Sequence, residues 1–501
     1  MTDDLEYIMK EQKELSVFGG IGALLGWDQL TYMPAGGAQE RAEHSALLSR
    51  LSHEKVINDT FYEAIQRLNK ETTLKTLDEK HQLIVQRLLR DVDKARKVPS
   101  SFVEKMSKTT TMAYQSWEQA RKKNSFGVFA PHLKNILDLQ QEYIRFMDVP
   151  GPKYNTLLDD YEEGMKVTTL SSEFSRLQKD LSHLVDTITT SKIYEQQSSV
   201  ELTFSEEQQQ KICIKTIALL GLPDETARLD QSTHPFTTAI GTQDVRITTS
   251  YTRPNPLFSF FSTVHEAGHA LYELGLPQDV YKYTVISDAP SLGLHESQSR
   301  FWENMIARSH SFWQYMLPLF KEIVPTAMKK YSLDSWYQAV NMVRPSLIRV
   351  EADELTYCLH VILRFQLEQQ LINEEIKVKE LPEYWNQYME ELLGVTPTDD
   401  IQGVLQDMHW SGGSFGYFPT YAIGSIYAAQ LFDQLSKDQT GLDEDIQKGQ
   451  FHGILKWLRE HIHQYGRMMT AEDIIQKTCG EGLQAGVFLS YLKTKYLPLY
   501  E

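Results

Sequence analysis

A mostly α fold with one small β element is the class this sequence predicts, and three observations predict it. Apolar residues recur at spacings of three and four along nearly the whole chain, Gly and Pro gather at short breaks between those runs, and a single stretch, Phe236 to Thr252, departs from the helical rhythm.

The helical spacing begins at Leu5 and runs to about Met147, as in Leu83, Val85, Leu88, Leu89 and Val92, with Glu, Lys, Gln and Arg on the intervening positions. Breaks are expected at Met33-Pro34-Ala35-Gly36-Gly37, Val98-Pro99 and Val149-Pro150-Gly151-Pro152, which implies long helices joined by short connections. In the exceptional stretch, Val245-Arg246-Ile247-Thr248-Thr249-Ser250-Tyr251 mixes β-branched and polar residues ahead of Pro254 and Pro256, the pattern of a short strand at the edge of a small sheet. Helical spacing resumes at Leu257 and continues nearly to the C-terminus, with loops near Pro277, Pro290, Pro325 and Gly412-Gly413. At 501 residues the chain is about three times a typical domain, yet helical enzymes of this size often surround one cleft. We therefore expect a single catalytic unit over 1–501, with an N-terminal helical half (about 1–230) and a metal-site half (about 231–501).

The formal charge of −17 argues against a nucleic-acid or anionic-membrane partner, since both require concentrated positive charge. Cys213, Cys358 and Cys479 are far apart and form no C-x-x-C pair, so neither a disulfide framework nor a thiolate metal site is expected. The first residues are acidic where a secretory signal would be basic, and no stretch reaches about 18 uninterrupted apolar residues, which predicts a soluble cytoplasmic protein.

The chemistry concentrates in His265-Glu266-Ala267-Gly268-His269. Two histidines four positions apart stand roughly 40° apart around a helix, so both imidazoles can reach one cation. A catalytic Zn²⁺ takes three protein ligands and leaves one position open. Glu266 points away from the histidine pair and is suited to take a proton from a water on the metal and pass it to the leaving amine. The third ligand must come from elsewhere. Glu296, in His295-Glu296-Ser297-Gln298 and 27 residues beyond His269, is the best candidate, with His295 and Glu303 as rivals. With 15 histidines and 67 acidic residues, about 0.06 matches to His-acid-x-x-His are expected by chance, so context has to decide. Val264, Ala267, Ala270 and Leu271 supply it, because they mark a packed helix with its His face turned inward.

Five further segments set polar residues beside Pro, Gly or aromatics: His234-Pro235-Phe236, Asp244-Val245-Arg246-Ile247-Thr248, His295-Glu296-Ser297-Gln298, Ile348-Arg349-Val350-Glu351-Ala352-Asp353 and Gly403-Val404-Leu405-Gln406-Asp407-Met408-His409-Trp410. Together with the His265 helix, and in this order, they resemble the carboxypeptidase Taq family of metallocarboxypeptidases. The resemblance covers about His234 to Tyr421 by motif and the whole chain in length and helical character. It implies a large multi-helix fold with a long substrate groove, commonly a homodimer, holding zinc or cobalt and removing single residues from peptide C-termini with broad specificity. It also implies His265, His269 and Glu296 as ligands and Glu266 as acid/base.

Such an enzyme must hold a free carboxylate, which the planar guanidinium of arginine does well. Arg246 and Arg349 sit in family-like motifs and are the candidates, with Arg344 a weaker third; the bland alternative for each is an ion pair with Asp244, Glu351 or Asp353. A neutral donor must face the developing oxyanion, and Tyr417, Tyr421 and His409 qualify. His234, held extended by Pro235, is a candidate to line the groove. Asp407, or another acid, would accept the second ring N–H of a ligand histidine. An endo-acting oligopeptidase or an aminopeptidase would share the metal helix, while a non-enzymatic helical scaffold would leave the ordered motifs unexplained.

Overall fold

The spacings of three and four become helices. In the computed structural model, which describes residues 3–197, 202–252, 254–279 and 281–501, the first part of the chain runs through Asp3–Thr31, Ala38–Val56, Asp59–Leu68, Glu79–Arg96, Ser100–Lys123 and Phe126–Met147. Pro99 immediately precedes Ser100–Lys123, a position where its missing N–H costs nothing. Glu79–Arg96 buries Ile84, Val85, Leu88 and Val92, an i, i+1, i+4, i+8 stripe facing the core.

The β element is larger than the sequence suggested. Three strands, β1 (Ala227–Gln231), β2 (Thr237–Gly241) and β3 (Asp244–Thr249), are ordered β1-β3-β2, with β1 parallel and β2 antiparallel to β3. The stretch expected to form an edge strand is therefore the central one. The strand beside it, Ala227-Arg228-Leu229-Asp230-Gln231, alternates apolar with charged or polar residues over only five positions, too short a run to stand out in the sequence.

Alternation along β3 decides which residues serve the site. Val245, Ile247 and Thr249 are buried, and β3 packs on the helix Leu257–Glu273. Arg246 therefore points to the opposite face, where it lies 4.2 Å from the Trp27 ring and is held on two nitrogens by Asp244 at 2.9 and 2.8 Å. Its neighbour across the parallel register, Arg228, also lies over Trp27 and is bound by Asp230.

The helix Leu257–Glu273 packs against β2, β3, Glu206–Leu220 and Leu292–Arg300, and the last of these packs along Pro419–Asp438. Gly268 permits a close approach to Leu292–Arg300: a Cβ there would stand 2.7 Å from the Gln298 carbonyl oxygen and from Ser299 Cα. Beyond Arg300 the chain continues as a six-residue π-helical stretch, Phe301–Ile306.

One large apolar core has members from Ala113 to Tyr500, on both sides of residue 230. A second, smaller core joins Leu5, Ile8, Phe61, Ala64, Ile65, Leu68, Val85, Leu88 and Val92. Much of what binds these first helices to the rest is polar: Arg87 to Glu163, Arg90 to Asp159, and Arg467 to Asp91 on two nitrogens. Among the described residues no helix is long and apolar enough to cross a membrane.

Candidate metal centre and active site

Within Leu257–Glu273 the residues His265, His269 and Glu273 recur every four positions and share one face. Glu296, on Leu292–Arg300, is brought against them. The Nε2 atoms of His265 and His269 lie 3.6 and 3.5 Å from the same oxygen, Glu296 Oε2, and the three prospective ligand atoms all fall within 4.8 Å of one another. Ligands at about 2.1 Å in a tetrahedral site stand roughly 3.4 Å apart, so the cluster fits one divalent cation with a fourth position left over. Glu296 reaches this place because Gly424, on Pro419–Asp438, leaves no side chain in its way: a Cβ there would be 2.6 Å from both Cβ and Cγ of Glu296.

The atoms facing away from the cluster are also occupied. Arg300 Nε donates to Glu296 Oε1 at 2.7 Å, which reserves Oε2 for the histidine side. Burial alone would raise the Glu296 carboxyl, but Arg300 and the two histidines outweigh it and hold it well below the usual range, so it is an anion at any working pH. His265 Nδ1 lies 2.9 Å from Glu303 Oε2. His269 Nδ1 lies 2.5 Å from His295 Nδ1, and His295 Nε2 lies 2.8 Å from Glu273 Oε1. Glu303 and His295, the rivals for third ligand, thus stand against the Nδ1 atoms of the two histidines, on the side away from Glu296 Oε2, where an acid such as Asp407 was expected. Asp407 is elsewhere, bound to two arginines.

Glu266 is buried beside this cluster. The Thr237 hydroxyl lies 2.7 Å from Glu266 Oε2 and 3.0 Å from its carbonyl oxygen, fixing one carboxylate oxygen and leaving Oε1 for a proton. Burial raises the Glu266 carboxyl above the ordinary value, opposed by His265 and by the Thr237 hydrogen bond. Thr237 directly follows His234-Pro235-Phe236, so the motif was visible but the residue that matters beside Glu266 was not. His234 itself is exposed, in the connection between β1 and β2.

Around the other side stand Tyr417, Tyr421 and His409. His409 Nε2 is 3.2 Å from the Tyr421 hydroxyl, and the Tyr417 and Tyr421 rings are 5.4 Å apart. Both tyrosines feel the Glu296 charge. Burial raises both phenols, keeping them as O–H donors, and lowers His409 to about 4, keeping it neutral. Tyr161, which the sequence did not single out, packs edge-on to Tyr417 at 5.2 Å.

Arg349 is buried, with Asp407 Oδ1 at 3.2 Å from Nε and 2.8 Å from one terminal nitrogen, the Tyr357 hydroxyl at 3.0 Å and the Tyr421 ring at 4.8 Å. Its ion pair is with Asp407, neither Glu351 nor Asp353. Tyr357 links it to the metal cluster, since Arg300 stacks on the same ring at 4.2 Å. The structure thus brings Arg349 to the cluster but not Arg246, which faces Trp27, nor Arg344, which is exposed.

The loop bearing His409 and Tyr417 is fastened from below by Glu368, which accepts from Tyr154 Oη at 2.5 Å, Trp410 Nε1 at 2.8 Å and the Gly416 amide at 2.9 Å. Gly416 has a φ of +89°, and a Cβ there would meet the Leu157 carbonyl oxygen at 2.6 Å. Burial lifts Glu368 to about 7, despite Tyr154 and the Gly416 amide. Its folded value exceeds the roughly 4.3 of an unfolded chain, so its stabilising contribution is complete below about pH 4.3 and is lost as the pH rises through about 7. Plots of melting temperature against pH for wild type and Glu368→Gln should therefore diverge in slope between about pH 4 and 7, with the variant flatter; parallel slopes would exclude this ionisation.

A family model described as "Carboxypeptidase Taq (M32) metallopeptidase" matches residues 7–496. Thermostable carboxypeptidase 1 of Pyrococcus furiosus is 39% identical over 498 residues, covering 99% of each chain, and carboxypeptidase 1 of Bacillus subtilis is 36% identical over 495 residues, covering 97% of each. The crystal structure of an M32 carboxypeptidase from Deinococcus radiodurans superposes with a TM-score of 0.95 at 34% identity, over all of both chains.

Proposed function

Because this chain belongs to the carboxypeptidase Taq (M32) family of metallopeptidases and is a metal-dependent carboxypeptidase, we propose that it releases single amino acids from peptide C-termini with broad specificity, using His265, His269 and Glu296 as metal ligands and Glu266 as acid/base. The observation that carries this reading is the convergence of both Nε2 atoms on Glu296 Oε2, with Glu266 buried alongside. Family membership removes the ground for the oligopeptidase, aminopeptidase and scaffold alternatives.

When bound, a divalent cation supplies a Lewis acid that polarises the attacking water and the scissile carbonyl. Two histidines and a carboxylate suit zinc, and cobalt accepts the same donors. Glu266 Oε1 takes the proton from the attacking water, Thr237 holding the other oxygen, and then delivers it to the leaving amine. Tyr417 and Tyr421, as protonated phenols, donate to the carbonyl oxygen as it gains charge, and neutral His409 orients the Tyr421 hydroxyl. Arg349 holds the substrate's terminal carboxylate with the N–H groups that Asp407 and Tyr357 leave over, and exposed His234 borders the path of the incoming peptide. A homodimer is part of the reading, from the family likeness. A cytoplasmic setting suits three cysteines that are all unpaired.

The test compares metal-loaded and chelated protein on an N-blocked dipeptide, a longer peptide and the same peptide with an amidated C-terminus. Free C-terminal amino acid should appear only with metal and only from the two free acids. Internal fragments, or equal cleavage of the amide, would overturn the carboxypeptidase assignment of these residues.

A further inference from the structure

Arg349, the residue assigned above to the substrate carboxylate, already has a carboxylate partner. An isolated Arg349–Asp407 pair would close on itself as a two-bond fork, cancel its own charge and have little to offer a second anion. In this structure the fork does not close. Both Arg349 nitrogens that reach Asp407 go to a single oxygen, Oδ1.

The other oxygen, Oδ2, is taken by Arg364. This arginine lies on Tyr357–Ile372 and is completely buried; its Nε donates to Oδ2 at 2.7 Å and a terminal nitrogen lies 2.5 Å from the same atom. Its remaining terminal nitrogen donates to the His360 carbonyl oxygen at 2.7 Å, and its plane stacks on Trp385 at 4.5 Å and Phe418 at 5.4 Å. Every feature of that environment fixes the guanidinium in place. Two cations thus share one anion. The neighbouring titratable groups do not supply a second partner: burial keeps His360 and His409 neutral, and Glu368, one turn along from Arg364, is lifted by burial to about 7 and has its oxygens committed to Tyr154, Trp410 and the Gly416 amide.

A surplus positive charge away from water is costly unless a further anion completes the set. We infer that Arg364 is a positioning residue for substrate binding: by occupying Asp407 Oδ2 it stops Asp407 from neutralising Arg349 and leaves one unit of positive charge for the peptide's terminal carboxylate. The inference rests on the assignment of Arg349 to that carboxylate. It makes the bound substrate the fourth member of an alternating set, Arg364, Asp407, Arg349 and carboxylate. No motif in the sequence marked Arg364, which sits among apolar residues of a helix buried on most sides.

Steady-state kinetics on the N-blocked dipeptide tests this, together with inhibition by an N-blocked amino acid, a monocarboxylate, and metal affinity by chelator competition. Arg364→Met should raise KM by about 10- to 100-fold with kcat changed by no more than about threefold, weaken the monocarboxylate inhibitor in parallel, and leave metal affinity unchanged. Arg364→Lys, which keeps the charge and one donor for Oδ2, should recover most of the loss. A purely structural arginine would show no such rescue, and its removal would lower kcat and metal affinity as well; either result overturns the inference. If Arg364→Met does not fold, Arg364→Lys decides alone, since a KM raised as far as that of Arg349→Met would contradict a role through charge. Arg349→Met run in parallel separates the two claims. Unchanged KM in that variant removes the assignment of Arg349, whereas a raised KM there with unchanged KM in Arg364→Met removes only the inference.

Discussion

Glu266→Gln should lower kcat by a factor between about 10² and 10⁴, the range that a positioned proton-transfer group contributes, without weakening the metal. The two effects separate because Glu266 bonds to Thr237 and to none of the ligand atoms. Glutamine keeps the shape and the Thr237 contact but cannot take a proton. The acidic limb of the kcat/KM profile should report the ionisation of this carboxyl in the metal-loaded enzyme. Because the Thr237 hydroxyl stabilises the ionised form, Thr237→Val should move that limb up. Stopped-flow or steady-state rates across pH, with metal content measured on the same samples, check both statements. A Glu266→Gln enzyme within tenfold of wild type would remove Glu266 from the chemistry.

The second large effect is expected at Glu296. Glu296→Ala deletes the oxygen on which both Nε2 atoms converge and also strips Arg300 of its 2.7 Å partner. Metal affinity should fall by more than about 10²-fold, beyond the 10- to 100-fold typical when only a residue behind a ligand is changed. Glu303→Gln, which loses the carboxylate facing His265 Nδ1, provides that milder comparison. Wild-type protein with metal at about 100 times its dissociation constant should gain roughly 2.7 kcal/mol over chelated protein, and Glu296→Ala should lose that increment. Chelator competition and thermal melts with and without metal measure these quantities. A larger loss of affinity in Glu303→Gln than in Glu296→Ala would mean that the ligand set has been drawn wrongly.

The legible part of this site was local. His265 and His269 are fixed relative to one another by helical pitch, and Glu266 follows from its place between them, so spacing alone sufficed. Glu296 depends on the distance between two helices, and it comes against the histidine pair across the one connection that separates them. What the sequence concealed depends on contacts between distant segments. Thr237 approaches Glu266 through strand packing, His295 turns its ring to His269, and Asp407 is committed to Arg349 and Arg364 from two other parts of the chain. Arg246 lies apart from the histidine cluster for the converse reason. It sits in a family-like motif, but the two-residue period of β3 sends it to the face opposite Ile247, where Trp27 covers it. At the level of fold, the helices were readable from periodicity, whereas β1 was not, since its five residues are too short a run to stand out.

The nine residues that form the small core of the first helices set a separate limit on how this molecule comes apart. Cooperativity follows the burial that elements share, and these helices share much of theirs with one another, meeting the remainder where Asp3–Thr31 packs on β2 and at ion pairs such as Arg467 with Asp91. The free energy of detaching them is therefore smaller than that of melting the main core, and it falls as salt screens the charges that hold the seam. Opening of the first hundred or so residues is the expected sub-global event: on hydrogen exchange and limited proteolysis their amides should exchange and their connections be cut, increasingly with salt, while the helices bearing His265 and Glu296 stay protected.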